Sequence, residues 1–260
     1  MKDYIKHTIT YSIFLILLLC LGCNSYKIKI VHSNNLTIDD EISTFEFSKT
    51  NLKAYQDSLN KEDINEVINY SNKNLNVGCP EGLLGNFICD LSMEFYKKTN
   101  YSSPTADICI LNNGGLRAPI SKGPVTRANI FELMPFENYL VVVELDSNKM
   151  QSLLDFILKK SNECISRKSG VPVSGIRISI EKSNIKRCMI NNREIEKNKT
   201  YYVLTTDYLA SGGDNMTFFK ECKQHTTGLL LRNVISDYIE NIGHNNIKID
   251  AQLDGRIEFN

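Results

Sequence analysis

The hexapeptide Asn112-Asn113-Gly114-Gly115-Leu116-Arg117 is the most informative stretch of this 260-residue chain. It follows an apolar run, residues 107–111, which predicts a buried strand. Two adjacent glycines allow positive φ and let a ligand approach the main chain closely. Arg117 adds a planar set of donors that suits phosphate or ribose oxygens. Taken alone, however, the segment is more typical of a tight turn with a surface arginine.

Two later segments favour the ligand-binding interpretation over the tight turn. They are Leu133-Met134-Pro135-Phe136 and residues 206–214, which end in Gly212-Gly213-Asp214. In this order, the three segments resemble the substrate-binding C-terminal domain of the 5'-nucleotidase / UDP-sugar hydrolase family. The resemblance runs from about residue 66 to residue 259 and includes residues 84–90 and Gly255-Arg256-Ile257. It implies an α+β fold of mixed and antiparallel sheets with packed helices.

The hydrophobic periodicity of the chain independently predicts an α+β domain, because hairpin strands and amphipathic helices are mixed along it. Asn191-Asn192 predicts a hairpin turn that leads into residues 193–195. Strands are predicted at residues 66–70, 107–111, 139–145, 176–180, 185–190 and 201–206. Helices are predicted at residues 41–61, 81–98, 125–134, 148–160 and 228–242, with Thr126 as the cap of the third.

The N-terminus predicts a bacterial lipoprotein signal at residues 1–22. A basic start is followed by an apolar run, residues 11–21, that is too short to span a bilayer. The run ends at Cys23, which we take as the lipidated residue; an ordinary secretory signal or an uncleaved anchor is the alternative. We therefore expect a tether at residues 23–40, one domain at residues 41–260, and a lipid-anchored location in the bacterial cell envelope.

Charge and cysteine content restrict the possible functions. The 30 basic and 30 acidic residues balance, so the chain has no net positive charge that would favour binding to nucleic acid. After Cys20 and Cys23, six of the eight cysteines remain, and the sequence leaves their connectivity open. Members of the family join the cysteines that match Cys89 and Cys109, so the resemblance implies this disulfide. The alternative is two separate buried thiols.

The resemblance also assigns the binding residues. Phe136 and Tyr208 match two aromatic rings that hold the nucleoside base between two loops, an arrangement with little base discrimination. Tyr208 replaces the usual phenylalanine. Asp214 is expected to accept hydrogen bonds from the ribose hydroxyls, Asn112 to contact the base edge or ribose, and Arg117 the ribose or phosphate. The predicted substrate-binding residues are Asn112, Gly114, Gly115, Arg117, Phe136, Tyr208, Gly213 and Asp214.

Two features of the sequence depart from the family. An arginine expected shortly before the Gly85-Asn86 helix start is missing, since residues 77–81 hold no basic side chain. The sequence also lacks the motifs that hold two catalytic metals, such as Gly-Asn-His-Glu. We therefore expect no metal, no cofactor and no catalytic residue in this chain, with divalent metals only on a partner catalytic domain.

Three functions fit these observations. The chain is the nucleotide-specificity half of a split 5'-nucleotidase whose metallophosphatase half is a separate protein, and is inactive alone. Alternatively, it is a nucleoside- or nucleotide-binding envelope lipoprotein without catalysis, or an interaction module with a decayed pocket. Since the pocket residues are retained together, the third is the weakest, and we favour the split enzyme.

Overall fold

The computed structural model of the protein describes residues 64–99, 104–166 and 168–260. The predicted signal peptide, Cys23, the tether and the helix at residues 41–61 lie outside these ranges. The domain boundaries and the lipid anchor therefore stay predictions. Among the described residues, no helix combines the length and the apolar character needed to cross a membrane.

The described strands form three sheets whose membership does not follow chain order. The strands are β1 (Val67–Ser71), β2 (Ile108–Ile110), β3 (Gly123–Thr126), β4 (Tyr139–Leu145), β5 (Val173–Ser174), β6 (Ile176–Glu181), β7 (Asn184–Ile190), β8 (Arg193–Glu194), β9 (Tyr201–Thr206), β10 (Gln224–Leu230) and β11 (Ile257–Phe259). A five-stranded sheet has the order β10-β4-β9-β2-β5, a four-stranded sheet the order β11-β6-β7-β8, and β1 pairs with β3. Parallel and antiparallel pairs coexist, so the fold is α+β, as predicted.

The described helices are α1 (Leu83–Thr99), α2 (Arg127–Leu133), α3 (Ser147–Asn162), α4 (Asp207–Ala210) and α5 (Leu231–His244). Short 3-10 turns follow α4 at Gly213–Asn215 and Thr217–Phe219. Thr126 begins α2 with a capping box, in which its side chain accepts from the Asn129 N–H and the Asn129 side chain bonds the Thr126 backbone. The predicted cap is therefore confirmed, and its pairing satisfies backbone donors that the first helical turn leaves unbonded.

The five-stranded sheet separates two hydrophobic cores, because successive residues of a strand point to opposite faces. On β4, Leu140 and Val142 pack with α1 and α5, whereas Val141 and Val143 pack with α3 and the four-stranded sheet. Both faces of this sheet are covered, which explains why β4 is almost continuously apolar. The sheet is thus buried on both faces, and the loops that follow its strands lie at its ends.

Candidate functional site

Three loops meet at one end of the five-stranded sheet. β2 and β9 run parallel, with Ile108 opposite Val203, so the chain leaves both strands at the same end. β4 is antiparallel to β9, with Leu140 opposite Thr206, so the loop that leads into β4 lies there too. Every residue of the predicted substrate site is on one of these three connections, with Tyr208 on α4 and Gly213 and Asp214 in the 3-10 turn that follows it.

The Asp214 carboxylate connects two of the loops. Its Oδ2 accepts a hydrogen bond from Asn112 Nδ2 at 2.5 Å, and its Oδ1 accepts one from the Tyr208 hydroxyl at 3.1 Å. The Asp214 backbone N–H also faces the Tyr208 hydroxyl oxygen, at 3.3 Å. An ionised carboxylate has about four lone-pair positions, so further acceptor positions remain for the hydroxyl groups of a ligand.

The backbone around Asp214 is held in an uncommon conformation. Asp214 has φ 48° and ψ 30°, in the left-handed region that non-glycine residues rarely enter. Gly213 lies directly against the Tyr208 ring, since a Cβ at this position would be 2.5 Å from the ring carbons Cε1 and Cζ. A side chain at residue 213 would therefore displace the ring.

The glycine pair of the loop after β2 leaves room for the same cluster. A Cβ on Gly115 would lie 2.8 Å from Asn112 Oδ1, so a side chain there would push Asn112 away. A Cβ on Gly114 would lie 3.3 Å from Asp214 Oδ2 and 3.4 Å from Asn112 Nδ2. The two glycines thus allow Asn112 and Asp214 to approach each other.

Arg117 and Phe136 occupy the rim. The Arg117 backbone N–H donates to the Leu133 carbonyl at 2.8 Å, which fastens the loop after β2 to the end of α2, just before Phe136. The exposed Arg117 guanidinium reaches the Gly114 carbonyl at 3.4 Å. The Phe136 and Tyr208 side chains are 42% and 45% exposed. Among the described ring contacts, none joins these two rings.

A cavity of about 220 Å³ opens beside Asn112 and Asp214. Sequence reasoning missed several of its lining residues, because single lysines and aromatic residues on a helix do not differ from ordinary surface and core positions. These residues include Phe156, Lys160, Lys168 and Asn215. A larger cavity, about 440 Å³, lies beside β1 and the end of α5, and none of the predicted binding residues lines it.

The cysteines pair differently from the prediction. The structure joins Cys79 to Cys164, with 5.6 Å between their Cα atoms, and leaves Cys89 and Cys109 as free buried thiols. The predicted Cys89–Cys109 disulfide is therefore wrong for this structure. Burial, together with the neighbouring Cys109, raises the pKa of the Cys89 thiol, which disfavours the reactive thiolate.

Within the described ranges, no group of three or more histidine, cysteine, aspartate or glutamate side chains is arranged to hold a metal ion.

Solved structures share this fold. A 5'-nucleotidase precursor from Thermus thermophilus superposes with a TM-score of 0.66 at 27% identity, covering 82% of this chain and 43% of that one. An NAD nucleotidase from Haemophilus influenzae gives a TM-score of 0.63 at 19% identity, again over 82% of this chain and 41% of the other. The fold is that of a domain carried by nucleotidases.

The chain belongs to the 5'-nucleotidase C-terminal domain family, whose model matches residues 53–221. A trifunctional nucleotide phosphoesterase protein of Bacillus subtilis is 26% identical over 245 residues, which cover 86% of this chain and 16% of that protein. A snake venom 5'-nucleotidase of Crotalus adamanteus is 25% identical over 198 residues, 68% of this chain and 32% of the enzyme. This chain therefore spans well under half the length of these relatives.

Proposed function

We propose that this chain binds the nucleoside part of a nucleotide and acts as the specificity half of a split 5'-nucleotidase. The observation that carries the proposal is the Asp214 cluster, in which Asn112 and Tyr208 hold one carboxylate at the mouth of a cavity. A fixed carboxylate with free lone pairs suits the vicinal hydroxyls of ribose. The family membership and the nucleotidase relatives support the same ligand class.

Two exposed aromatic rings complete the proposed binding site. Phe136 lies on the loop before β4 and Tyr208 on α4, at one end of the sheet, and in this proposal a base inserted between them stacks on both rings. Stacking on an aromatic side chain contributes about 1–3 kcal/mol per base and tolerates any base. We therefore expect broad base acceptance, with the ribose rather than the base setting specificity.

Catalysis is assigned in this proposal to a metallophosphatase domain on a separate chain, which would carry the divalent metals. This chain would hold the base and ribose, and the binding energy of these remote groups would position the phosphate against metals on the partner. Alone, the chain is expected to show no metal-dependent phosphatase activity on AMP or UDP-sugars. The lipid anchor at Cys23 would keep the complex in the bacterial envelope.

The test is an assay of a separately encoded metallophosphatase-domain chain with and without this protein. This protein should raise kcat/KM for AMP and leave turnover of a small aryl phosphate nearly unchanged. Arg117→Ala and Asp214→Ala should each reduce the gain for AMP, because both side chains are placed to contact the nucleotide. Glu132→Gln, a change at an exposed residue of α2 that does not line the cavity, is the matched control and should keep the gain.

Two results would contradict the split enzyme. Metal-dependent hydrolysis of AMP by this chain alone would show that the activity does not need a partner. A partner that is indifferent to this chain, combined with retained nucleoside binding, would favour the non-catalytic binding lipoprotein instead.

A further inference from the structure

The cavity beside Asp214 is lined by three charged side chains, two of them cationic. Lys160 is on the last turn of α3, Lys168 is on the loop that follows α3, and Asp214 is the acidic member. The other lining residues are uncharged, so the wall carries one net positive charge. The two lysines thus line the same cavity as the carboxylate that the proposed function assigns to the ribose.

The two lysines have no carboxylate partner among the described residues. Ion pairs within 4.0 Å engage several other lysines, including Lys73, Lys149, Lys199 and Lys223. The Lys160 ammonium instead lies over the Phe156 ring, 5.7 Å from its centroid. Within the described part of the chain, neither ammonium group is thus engaged by a carboxylate.

Two connections hold the loop that carries Lys168, one to the segment before α1 and one to the loop after β2, here called the binding loop. The Cys79–Cys164 disulfide attaches its start to the segment before α1. The buried Asn113 side chain donates to the Ser169 carbonyl at 2.5 Å and to the Gly78 carbonyl at 2.9 Å, which ties the same two segments together. Asn113 directly follows Asn112, so the position of Lys168 is coupled to the position of the proposed ribose site.

The side chain of Lys168 reaches the Asp214 cluster. A Cβ built on Gly114 would lie 3.8 Å from Lys168 Cγ and 3.3 Å from Asp214 Oδ2. Lys168 and Asp214 therefore both border Gly114. The adjoining segment, residues 77–81, has no basic residue of its own. Lys168 therefore places the aliphatic part of its side chain beside this cluster, and the residue also lines the cavity.

We propose that Lys160 and Lys168 form an anion-binding subsite that holds the phosphate of a nucleoside phosphate while Asp214 binds its ribose. The assignment rests on the proposed function and deepens it, because it makes nucleotides rather than nucleosides the preferred ligands. Charge-assisted hydrogen bonds to phosphate are stronger than neutral ones, and lysine binds phosphate as a point charge. The anion must lie on the lysine side of the cavity, away from the Asp214 carboxylate.

Calorimetric titration of the whole protein with AMP and with adenosine tests the subsite. Wild-type protein should bind AMP about tenfold more tightly than adenosine, given two partly solvated cations. The Lys160→Gln/Lys168→Gln variant should lose this preference and keep its adenosine affinity within about twofold. Raising the salt concentration should weaken AMP binding and leave adenosine binding nearly unchanged, because screening acts on the phosphate charge.

Lys159→Gln is the matched control, since it removes the same charge from the preceding position of α3 without lining the cavity. It should leave the AMP preference intact. Inorganic phosphate tests whether a free ion is the ligand: it should compete with AMP only weakly, and competition at the affinity of AMP would overturn the assignment to a nucleotide.

The outcomes separate the subsite from the function on which it rests. Equal affinity of wild-type protein for AMP and adenosine would overturn the subsite and leave nucleoside binding standing. An equal loss of the preference for AMP in Lys159→Gln and in the double variant would do the same. Failure of wild-type protein to bind either ligand would overturn both.

Discussion

The hydroxyl of Tyr208 distinguishes this site from one built on phenylalanine. It donates to Asp214 Oδ1 at 3.1 Å, and the Asp214 backbone N–H lies 3.3 Å from its oxygen. Gly213 packs against the same ring. One side chain thus has two functions in our account: its face stacks on the base, and its hydroxyl orients the carboxylate that binds the ribose.

Replacing the hydroxyl separates these two functions. Tyr208→Phe keeps the stacking ring and removes the hydrogen bond to Asp214, so we expect adenosine affinity to fall about fivefold, the value of one net hydrogen bond. Binding of 2',3'-dideoxyadenosine should be almost unaffected, because this ligand offers Asp214 no hydroxyl. Titration calorimetry with both ligands measures the difference.

Tyr70→Phe removes a hydroxyl from an exposed tyrosine of β1 and is the control for this comparison. A similar loss for both ligands in Tyr208→Phe would mean that the ring has moved and that the hydroxyl does not act through Asp214.

The sequence predicted the polar residues at the centre of the site but not the lysines that line the cavity. Asn112, Tyr208 and Asp214 follow strands in recognisable loops, and the structure brings their side chains into contact. Lys160 and Lys168 were missed because a lysine near a helix end is usually a solvated surface residue. Only the tertiary placement of the loop after α3 shows that they line the cavity.

The Cys79–Cys164 disulfide is the element that fixes this loop. The two cysteines are 85 residues apart in sequence, on either side of the binding loop. No local pattern pairs residues at such a distance, whereas Cys89 and Cys109 are closer and matched a bonded pair in the family. The pairing therefore depends on the tertiary placement of the segment before α1 beside the loop after α3, which local sequence patterns do not show.

Loss of this disulfide should destabilise the protein. A cross-link restricts the unfolded chain, so Cys79→Ser/Cys164→Ser should lower the free energy of unfolding by about 2–4 kcal/mol in urea denaturation. Cys222→Ser changes a partly buried free thiol and is the control, with an expected effect below about 1 kcal/mol. Equal stability of the double variant and wild type would contradict the cross-link.

Peptide mapping without reduction checks the connectivity directly. It should recover a peptide that joins Cys79 to Cys164, with Cys89 and Cys109 free for alkylation after unfolding. Recovery of a Cys89–Cys109 peptide would restore the original prediction and refute the structure at this point.

The predicted strands match the structure where both faces of the sheet are buried, and one strand at a sheet edge was missed. β4 and β9 match their predicted bounds, because their apolar residues face two cores. β10 was missed: it begins with polar residues, Gln-His-Thr-Thr, and its last three residues were assigned to the following helix. An edge strand is held by backbone pairing to β4 more than by its own apolar pattern, so sequence gives little sign of it.

At the scale of the whole molecule, Arg256 holds the C-terminal segment to the domain. Its guanidinium bonds both carboxylate oxygens of Asp90 on α1 at 2.9 Å, the Val173 carbonyl at 2.8 Å and Asp254 at 2.9 Å. Burial raises the pKa of the Asp254 carboxyl, but hydrogen bonding and charge from Arg256, aided by Arg177, lower it overall, below its ordinary 3.8.

This network predicts how stability depends on pH. A carboxyl whose pKa is lowered on folding stabilises the protein above its unfolded pKa, and this contribution is lost as pH falls through the folded pKa. The thermal midpoint should therefore fall below about pH 4, and Asp254→Asn should flatten this decline while lowering the midpoint at pH 7. Glu132→Gln is the control, and calorimetric scans from pH 7 to pH 2 measure both. An unchanged acid decline in Asp254→Asn would contradict this role.

The central claim is that the three loops bind a nucleoside, and titration calorimetry with adenosine tests it most directly. Wild-type protein should bind adenosine with measurable, weak affinity. Phe136→Ala and Tyr208→Ala should each lose about 1–3 kcal/mol of binding free energy, because each removes one stacking face. Phe131→Ala, a similarly exposed phenylalanine on α2, is the control and should bind like wild type. Absence of binding by wild-type protein at millimolar adenosine would contradict the account.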